Sequence, residues 1–372
     1  MHPFAIPRST ASGVWPEATG TAPGRRGLLL AGLGSAALAG VGGHVAGQGA
    51  NAGTDAGDWA EFQQRFVLAD GRVVDTGNRN ISHSEGQSYG LLAALRANDR
   101  AAFQRILAWT WTALKRPQDN LFAWRWSPET TPNVTDNNNA ADGCLGIAWA
   151  LLEAAERWRV PDYRARALAV ARDVQRQCFI ELGGRWLLLP GAYGFRNANR
   201  VVVNLSYYIL PALQALGEAL NDATWVRVEG DGLALMREAR FGRWGLPPDW
   251  LELSMAGAAP AIARNWPPRY SFDAVRVPLF LSWGGSAMHP SVQACGEFYM
   301  HQNGRPLPAW ADLSNDSLAP YAANAGITAV AALARAVRRQ PGPALPRVAA
   351  GHDYYAAALT LLARAAWRDL RL

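Results

Sequence analysis

Lysine is almost absent from this chain: Lys115 stands alone among 36 basic residues in 372, so the formal net charge of +6 is dispersed arginine without a basic tract. That pattern offers no electrostatic footprint for a phosphate backbone, and nucleic acid is not expected as a partner. Cysteine is nearly as scarce. Cys144, Cys178 and Cys295 fall in no CxxC or Cys/His cluster, and neither HExxH nor a GK[ST] phosphate loop occurs. Structural zinc, metalloprotease and Walker-type NTPase readings drop out, and no metal or cofactor is expected. Charged residues are 18% against 49% hydrophobic, a balance that excludes disorder and allows one large core or two modest ones.

Aromatic residues, by contrast, are plentiful, with 16 Trp, 10 Tyr and 11 Phe. That is more indole than a core of this size requires, and it brings flat ligands such as sugar rings into consideration.

The first fifty residues have the outline of a twin-arginine export signal. From Arg25 they read RRGLLLAGLGSAALAGVGG, a basic pair followed by a weakly hydrophobic Ala/Gly/Leu run. The run is short and glycine-rich for a membrane span, which needs roughly 20 mainly apolar residues. An uncleaved N-terminal anchor is the alternative. Ala50-Asn51-Ala52 offers a cleavage point and Ala46 a second, so residues 1–52 read as signal and linker and 53–372 as the mature domain. Delivery to the periplasm or to the exterior is expected, with no stable membrane insertion after cleavage.

Beyond Asp58 the dominant period is helical. Leu145, Ala148, Trp149, Leu152 and Ala155 follow one face, with Glu153, Glu156 and Arg157 opposite; Leu168, Ala171, Val174 and Cys178 repeat the pattern against Arg164, Arg172 and Arg176. Further helices are expected near 87–97, 99–115, 205–220, 222–239, 274–284, 290–301, 317–338 and 352–369, with extended pieces only at Phe122–Trp126 and Arg185–Leu189. The Gly/Pro/Asn-rich links between them are too short for interdomain linkers, so one all-α domain with helices paired around a single core is the economical reading.

Three acids sit in unusual settings. Glu85, in HSEGQSYGLLAAL, is either the far end of a capping box begun by Ser82 or a carboxyl at a cleft-lining helix entrance, where desolvation would raise its pKa toward general-acid use. Asp142, in DNNNAADGCLGIAW, reads as a helix N-cap, yet the neighbouring Asn137, Asn138 and Asn139 are natural hydroxyl binders. Asp273, in RYSFDAVRVPLFLSW, is set by helical spacing on one face with Arg276, and Pro278 confines that helix to a short segment. Together, without metal or nucleophile motifs, they point to paired-carboxylate hydrolysis.

On SEGQSYGLL (84–92), LFAWRW (121–126), NNAADGCLGIAWALLEAAERW (138–158), LLPGAYGF (188–195), VVNLSYYILPAL (202–213) and YSFDAVRVPLFLSW (270–283), the chain resembles glycoside hydrolase family 8, and within it the endo-β-1,4-glucanases of bacterial cellulose synthesis. The resemblance implies an (α/α)6 barrel with a long cleft at the helix N-termini, no metal, and inversion of anomeric configuration. It also implies Glu85 as proton donor and Asp273 as the water-activating carboxylate. Asp142 matches the first signature Asp, either a nucleophile or a holder of the distorted sugar. Trp124, Phe195, Tyr207 and Arg276 match positions in or near the substrate cleft, whereas Tyr89 and Trp126 match either cleft or packing positions. One departure stands out: Cys144 replaces the second signature Asp.

The expected function is thus an exported, inverting endo-β-1,4-glucanase acting on a β-1,4-glucan chain, with the cellulose synthase complex as its partner machinery. The alternatives are the same fold acting on xylan, chitosan or mixed-linkage glucan, or a catalytically weak glucan-binding component of cellulose export, the latter motivated by Cys144.

Overall fold

A computed structural model describes residues 50–257, 259–300 and 306–372. The arginine pair and the Ala-rich run lie outside these residues. Eleven α-helices are formed among those described: α1 (Ala50–Phe66), α2 (Ser84–Arg96), α3 (Arg100–Ala113), α4 (Ala141–Trp158), α5 (Pro161–Cys178), α6 (Leu210–Leu220), α7 (Ala223–Glu238), α8 (Arg276–Trp283), α9 (Pro290–Met300), α10 (Ala325–Ala336) and α11 (Tyr354–Asp369). α2 packs on α4, α4 on α6, α6 on α8, α8 on α10 and α11, and α11 returns to α2, while α3, α5, α7 and α9 lean on this ring. The result is an all-α (α/α)6 barrel. Among the described residues no helix is long and apolar enough to cross a membrane.

The two helical faces read from the sequence behave differently. On α5 a buried stripe of Tyr163, Ala167, Val170, Ala171, Val174 and Cys178 leaves the arginines outside, and Leu168 only half buried, as an outer helix requires. α4 is buried on nearly every side from Ala141 to Leu152, the mark of a helix inside the ring.

The α2–α4 contact is unusually close because small residues face each other. A methyl group added at Gly143 would collide with Ser84 Oγ and sit 2.7 Å from Glu85 N, and one at Gly146 would sit 2.5 Å from Ser88 Oγ. Two glycines one turn apart therefore let the N-terminal ends of the two helices meet.

Several expected boundaries are corrected. The expected helix 205–220 divides into a 3₁₀ turn, Leu205–Tyr207, and α6, because Pro211 starts a new helix at its first turn. The expected helix 317–338 shrinks to α10, since Pro320 interrupts its beginning and Asn324 caps Ile327 N at 3.0 Å. Extended structure also exceeds the two expected pieces: Ser82–His83 pairs with Arg125–Trp126, Phe179–Leu182 with Arg185–Leu188, Arg200–Val203 with Leu251–Ser254 and on to Ala261–Ile262, and Arg269–Tyr270 with Ala311–Asp312. These short ladders brace loops between helices, where alternation over two to four residues is too brief to read.

Candidate active site

Glu85 and Asp142 are second residues of α2 and α4, Tyr207 closes the turn before α6, Asp273 lies in the turn leading to Arg276, the first residue of α8, and Tyr355 is the second residue of α11. Helix N-termini from around the ring therefore converge on one open pocket, lined by these residues with Trp124, Phe272, His83 and Asp75. The convergence adds the positive ends of several helix dipoles to a cluster of carboxyl groups.

Arg276 is the hub. Its side chain is buried, with Nη1 donating to Glu85 Oε2 and, at 3.4 Å, to Tyr89 Oη; Nη2 donates to Asp273 Oδ1 at 2.7 Å and Ser206 Oγ at 3.0 Å, and lies 3.9 Å from Asp142 Oδ2. The expected Asp273–Arg276 pair is thus present, but it is one arm of a larger network. Pro278 sits in the first turn of the eight-residue α8, where its missing N–H costs no hydrogen bond. Asp249 fixes the approach to α8, accepting from Ser271 N at 3.0 Å and Ala274 N at 2.8 Å.

The three acids differ in proton affinity. Burial raises the Asp273 pKa to about 7; Arg276 opposes that rise, and the Asp249 and Glu85 charges add to it. Burial, then the Glu85 charge, pushes Asp142 well above the carboxylate range; the Arg276 charge and Gly143 N, which donates to Oδ1 at 2.7 Å, favour the charged form but do not offset them, and Oδ2 has no donor. Glu85 reverses the sequence expectation. Burial does push it up, but Arg276 and then His83 overcome that push and hold it below the ordinary value. The adjoining Glu85 and Asp142 carboxyl groups are therefore driven in opposite directions, Glu85 toward its charged form and Asp142 toward its neutral one.

Local capping also differs from expectation. Ser82 and Glu85 form no capping box: His83 is the N-cap of α2, its Nδ1 accepting from Gly86 N at 2.9 Å, and Ser82 Oγ instead donates to Val73 O at 2.6 Å. His83 Nε2 then faces the buried Asp75 Oδ2 at 3.6 Å. Nor is Asp142 an N-cap; α4 starts after Ala140, which makes no side-chain cap. Asn138 and Asn139 are not open hydroxyl binders either. Asn138 Nδ2 donates to Tyr193 O at 2.8 Å, and Asn139 Oδ1 accepts from Arg116 at 3.0 Å and Ala192 N at 2.9 Å, so both hold the loop together.

Of the expected cleft residues, Trp124, Tyr207 and Arg276 line the pocket. Phe195 does not; it is buried and stacks on Trp250 with ring centroids 5.9 Å apart. Tyr89 is a buried partner of Arg276, and Trp126 packs edge-on against Trp109 at 5.7 Å. Asp75, Phe272, Tyr355 and Asp249 escaped the sequence reading, having no periodicity or motif that separates them from ordinary loop and core residues. His83 carried a signal, its place directly before an N-terminal Ser-Glu pair.

Cys144 lies in the core with its Sγ 3.9 Å from Phe122 O, and burial pushes its thiol pKa far up. Its surroundings accept a neutral group.

The model for glycosyl hydrolases family 8 matches residues 43–369. The chain belongs to that family. A probable endoglucanase of Novacetimonas hansenii is 43% identical over 305 residues, covering 82% of this chain and 88% of the relative. Among solved structures, the endoglucanase of Komagataeibacter sucrofermentans is 42% identical with a TM-score of 0.81, covering 86% of this chain and 99% of its own. The endo-β-1,4-glucanase of Acetobacter xylinum is 40% identical with a TM-score of 0.82, covering 86% and 100% respectively. This family 8 chain is accordingly a glycoside hydrolase, and its pocket at the helix N-termini is the candidate active site.

Proposed function

We propose that this glycoside hydrolase is an exported, inverting endo-β-1,4-glucanase that cuts cellulose-type glucan in the course of bacterial cellulose synthesis. The observation that carries the chemistry is Arg276 bridging Glu85 and Asp273, and burial pushes the Asp273 carboxyl up to about 7. A carboxylate poised there removes a proton from water near neutral pH and remains ionised often enough to do so repeatedly. As the water oxygen bonds to the anomeric carbon, the bond from that carbon to the leaving oxygen breaks. Glu85 gives that oxygen a proton. Glu85 obtains the proton from Asp142, as the bound sugar's hydroxyl groups replace Glu85 as partners of Asp142.

Asp142 as a covalent nucleophile is disfavoured on the same grounds. Buried, with its Oδ2 lacking a donor, it holds a proton and is a poor attacking group. The names of the relatives support the glucan, and the arginine pair with its Ala-rich run supports export. Cys144 raises the reading of a weak glucan binder, but the retained trio of carboxyl groups around one arginine favours turnover.

The test is direct. Reducing ends released from carboxymethylcellulose separate an enzyme from a binder. Proton NMR of the first products from a cello-oligosaccharide should show α-anomer before mutarotation; β-anomer appearing first overturns the inverting assignment, since a retaining enzyme keeps the configuration.

A further inference from the structure

One imidazole joins the helix of Glu85 to a buried carboxylate. His83 is the N-cap of α2, with extended backbone, and its Nδ1 accepts from Gly86 N at 2.9 Å. Glu85 lies between these two residues, so the bond closes around it. The Gly86 amide is among the first of the helix and has no carbonyl partner within it, which leaves the ring nitrogen to satisfy it. The ring packs directly on this turn: a methyl group at Gly86 would sit 3.1 Å from His83 Cε1 and 2.6 Å from Tyr354 Oη, and Tyr354 meets the imidazole edge-on at 5.6 Å. On the other side of the ring, Nε2 faces Asp75 Oδ2 at 3.6 Å. Asp75 is 1% exposed; its Oδ1 accepts from Gly77 N at 3.1 Å, while its Oδ2 has no hydrogen-bond partner.

We propose that neutral His83 is a positioning residue for Glu85: its Nδ1 pins the first turn of α2 so that the Glu85 carboxyl group meets Arg276, and a second proton on the ring releases that turn. An imidazole nitrogen accepts a hydrogen bond only while it carries no proton. Nδ1 is therefore bare in this arrangement, and the single proton of the neutral ring is on Nε2, toward Asp75. A second proton must enter at Nδ1, where the Gly86 N–H already points, so the cap and the charged ring exclude each other. The groups around the ring bring that exchange into the neutral range. Burial disfavours the charged form, and so does Arg276 on α8, but the attraction of Asp75 and then of Glu85 outweighs them and raises the His83 pKa above its ordinary value. Tyr354 on α11 stays neutral, since burial pushes its phenol far up, and Arg125, opposite His83 on the paired strand, lies over the Trp124 ring. A charged His83 also adds to Arg276 in holding Glu85 ionised, so both consequences of the second proton act against acid catalysis.

This role rests on Glu85 as the acid of the proposed hydrolysis, so the cap is read apart from turnover. In the unaltered chain, NMR of the His83 Cε1 proton against pH should show the ring titrating together with loss of hydrogen-exchange protection at the Gly86 amide. A ring that stays neutral while the fold persists, or one that titrates with Gly86 protection unchanged, overturns the release. In kcat/KM the acid limb should be steeper than one ionisation allows, because it needs an ionised Asp273 and a neutral His83. His83→Asn should return that limb to unit slope, since Asn caps a helix without titrating. His83→Ala, which has no cap, should lose on the order of 10- to 10²-fold in kcat with little change in KM, and His83→Asn should regain most of it. Unit slope in the unaltered chain, or a folded His83→Ala with unchanged kcat, overturns the positioning role. If His83→Ala does not fold, the slope in His83→Asn and the exchange at Gly86 decide in its place. Should the unaltered chain cut no β-1,4-glucan, the glucanase reading fails, while the joint titration of His83 and Gly86 judges the cap alone.

Discussion

Gly143→Ala probes the link between packing and the proposed chemistry. The added methyl group meets backbone, Glu85 N and Ser84 C both at 2.7 Å, as well as Ser84 Oγ, so no rotamer change relieves it. Ordinary carbon contacts are near 3.5–4.0 Å, so the N-terminus of α2 must withdraw by about 1 Å. Overpacking of this kind costs about 1–3 kcal/mol. The displacement carries Glu85 away from Arg276 and Asp142, and a misplacement of about 1 Å in a reacting group costs on the order of 10²-fold in rate. Gly230→Ala is the matched control: it is exposed on α7 with nothing within 4 Å of the added carbon, and should gain roughly 0.5–1 kcal/mol with kcat unchanged. Thermal melting and kcat on a soluble β-glucan measure both variants. A Gly143→Ala protein that melted and turned over like the unaltered chain would refute the claim that this glycine sets the approach of Glu85 to Asp142.

Glu85→Gln still accepts a hydrogen bond from Arg276 and disturbs no cap, so melting should hold while kcat falls about 10²–10⁴-fold; near-normal turnover would remove Glu85 from the mechanism. Cys144→Asp places a carboxylate among core atoms that push even a thiol pKa up, and should lower stability by several kcal/mol; unchanged melting with higher activity would mean that the loop tolerates the family's second acid. In kcat/KM the limb set by Asp273 should rise with pH through about 7, because the water-activating form is the ionised one, and loss of that limb in a surviving Asp273 variant is the check. The same group predicts stability that declines as pH rises from about 4 to 7, since the folded chain keeps a proton that the unfolded chain has released; a melting series that rose across this window would count against the raised value.

The barrel was legible because inner and outer helices carry different periodicities, and α5 with its arginine-backed stripe shows the outer kind plainly. Glu85, Asp142, Asp273 and Arg276 were legible as unusual residues in small and aromatic surroundings, and the structure brings all four together. The capping alternative fails at both α2 and α4 for one reason. Ser82-x-x-Glu85 and Asp142 have suitable residue types, but the helices begin one or two residues away from where such caps require, and His83, a rarer cap, does the work at α2. A motif aromatic looks the same in sequence whether it lines a pocket, as Trp124 does, or stacks behind the lining, as Phe195 does on Trp250.

The direction of the Glu85 pKa was beyond any local reading, because its dominant counter-charge, Arg276, lies 191 residues away. Burial alone makes a carboxyl group a good acid donor, and burial beside a guanidinium makes it a carboxylate. In the proposed mechanism the proton is held on Asp142, where no donor reaches Oδ2, and Glu85 is charged against Arg276 before the substrate binds. A sugar hydroxyl donating to Asp142 favours its ionised form, and the released proton has Glu85 as its adjoining acceptor. On that proposal acid catalysis is armed by the substrate, and a site that holds water instead of glucan leaves Glu85 unarmed. For this arrangement Asp142→Asn should resemble Glu85→Gln in lowering kcat, and its pH profile should shift the acid limb downward, since Glu85 would then titrate alone against Arg276. An Asp142→Asn variant with an unshifted acid limb would show that Glu85 draws its proton from solvent.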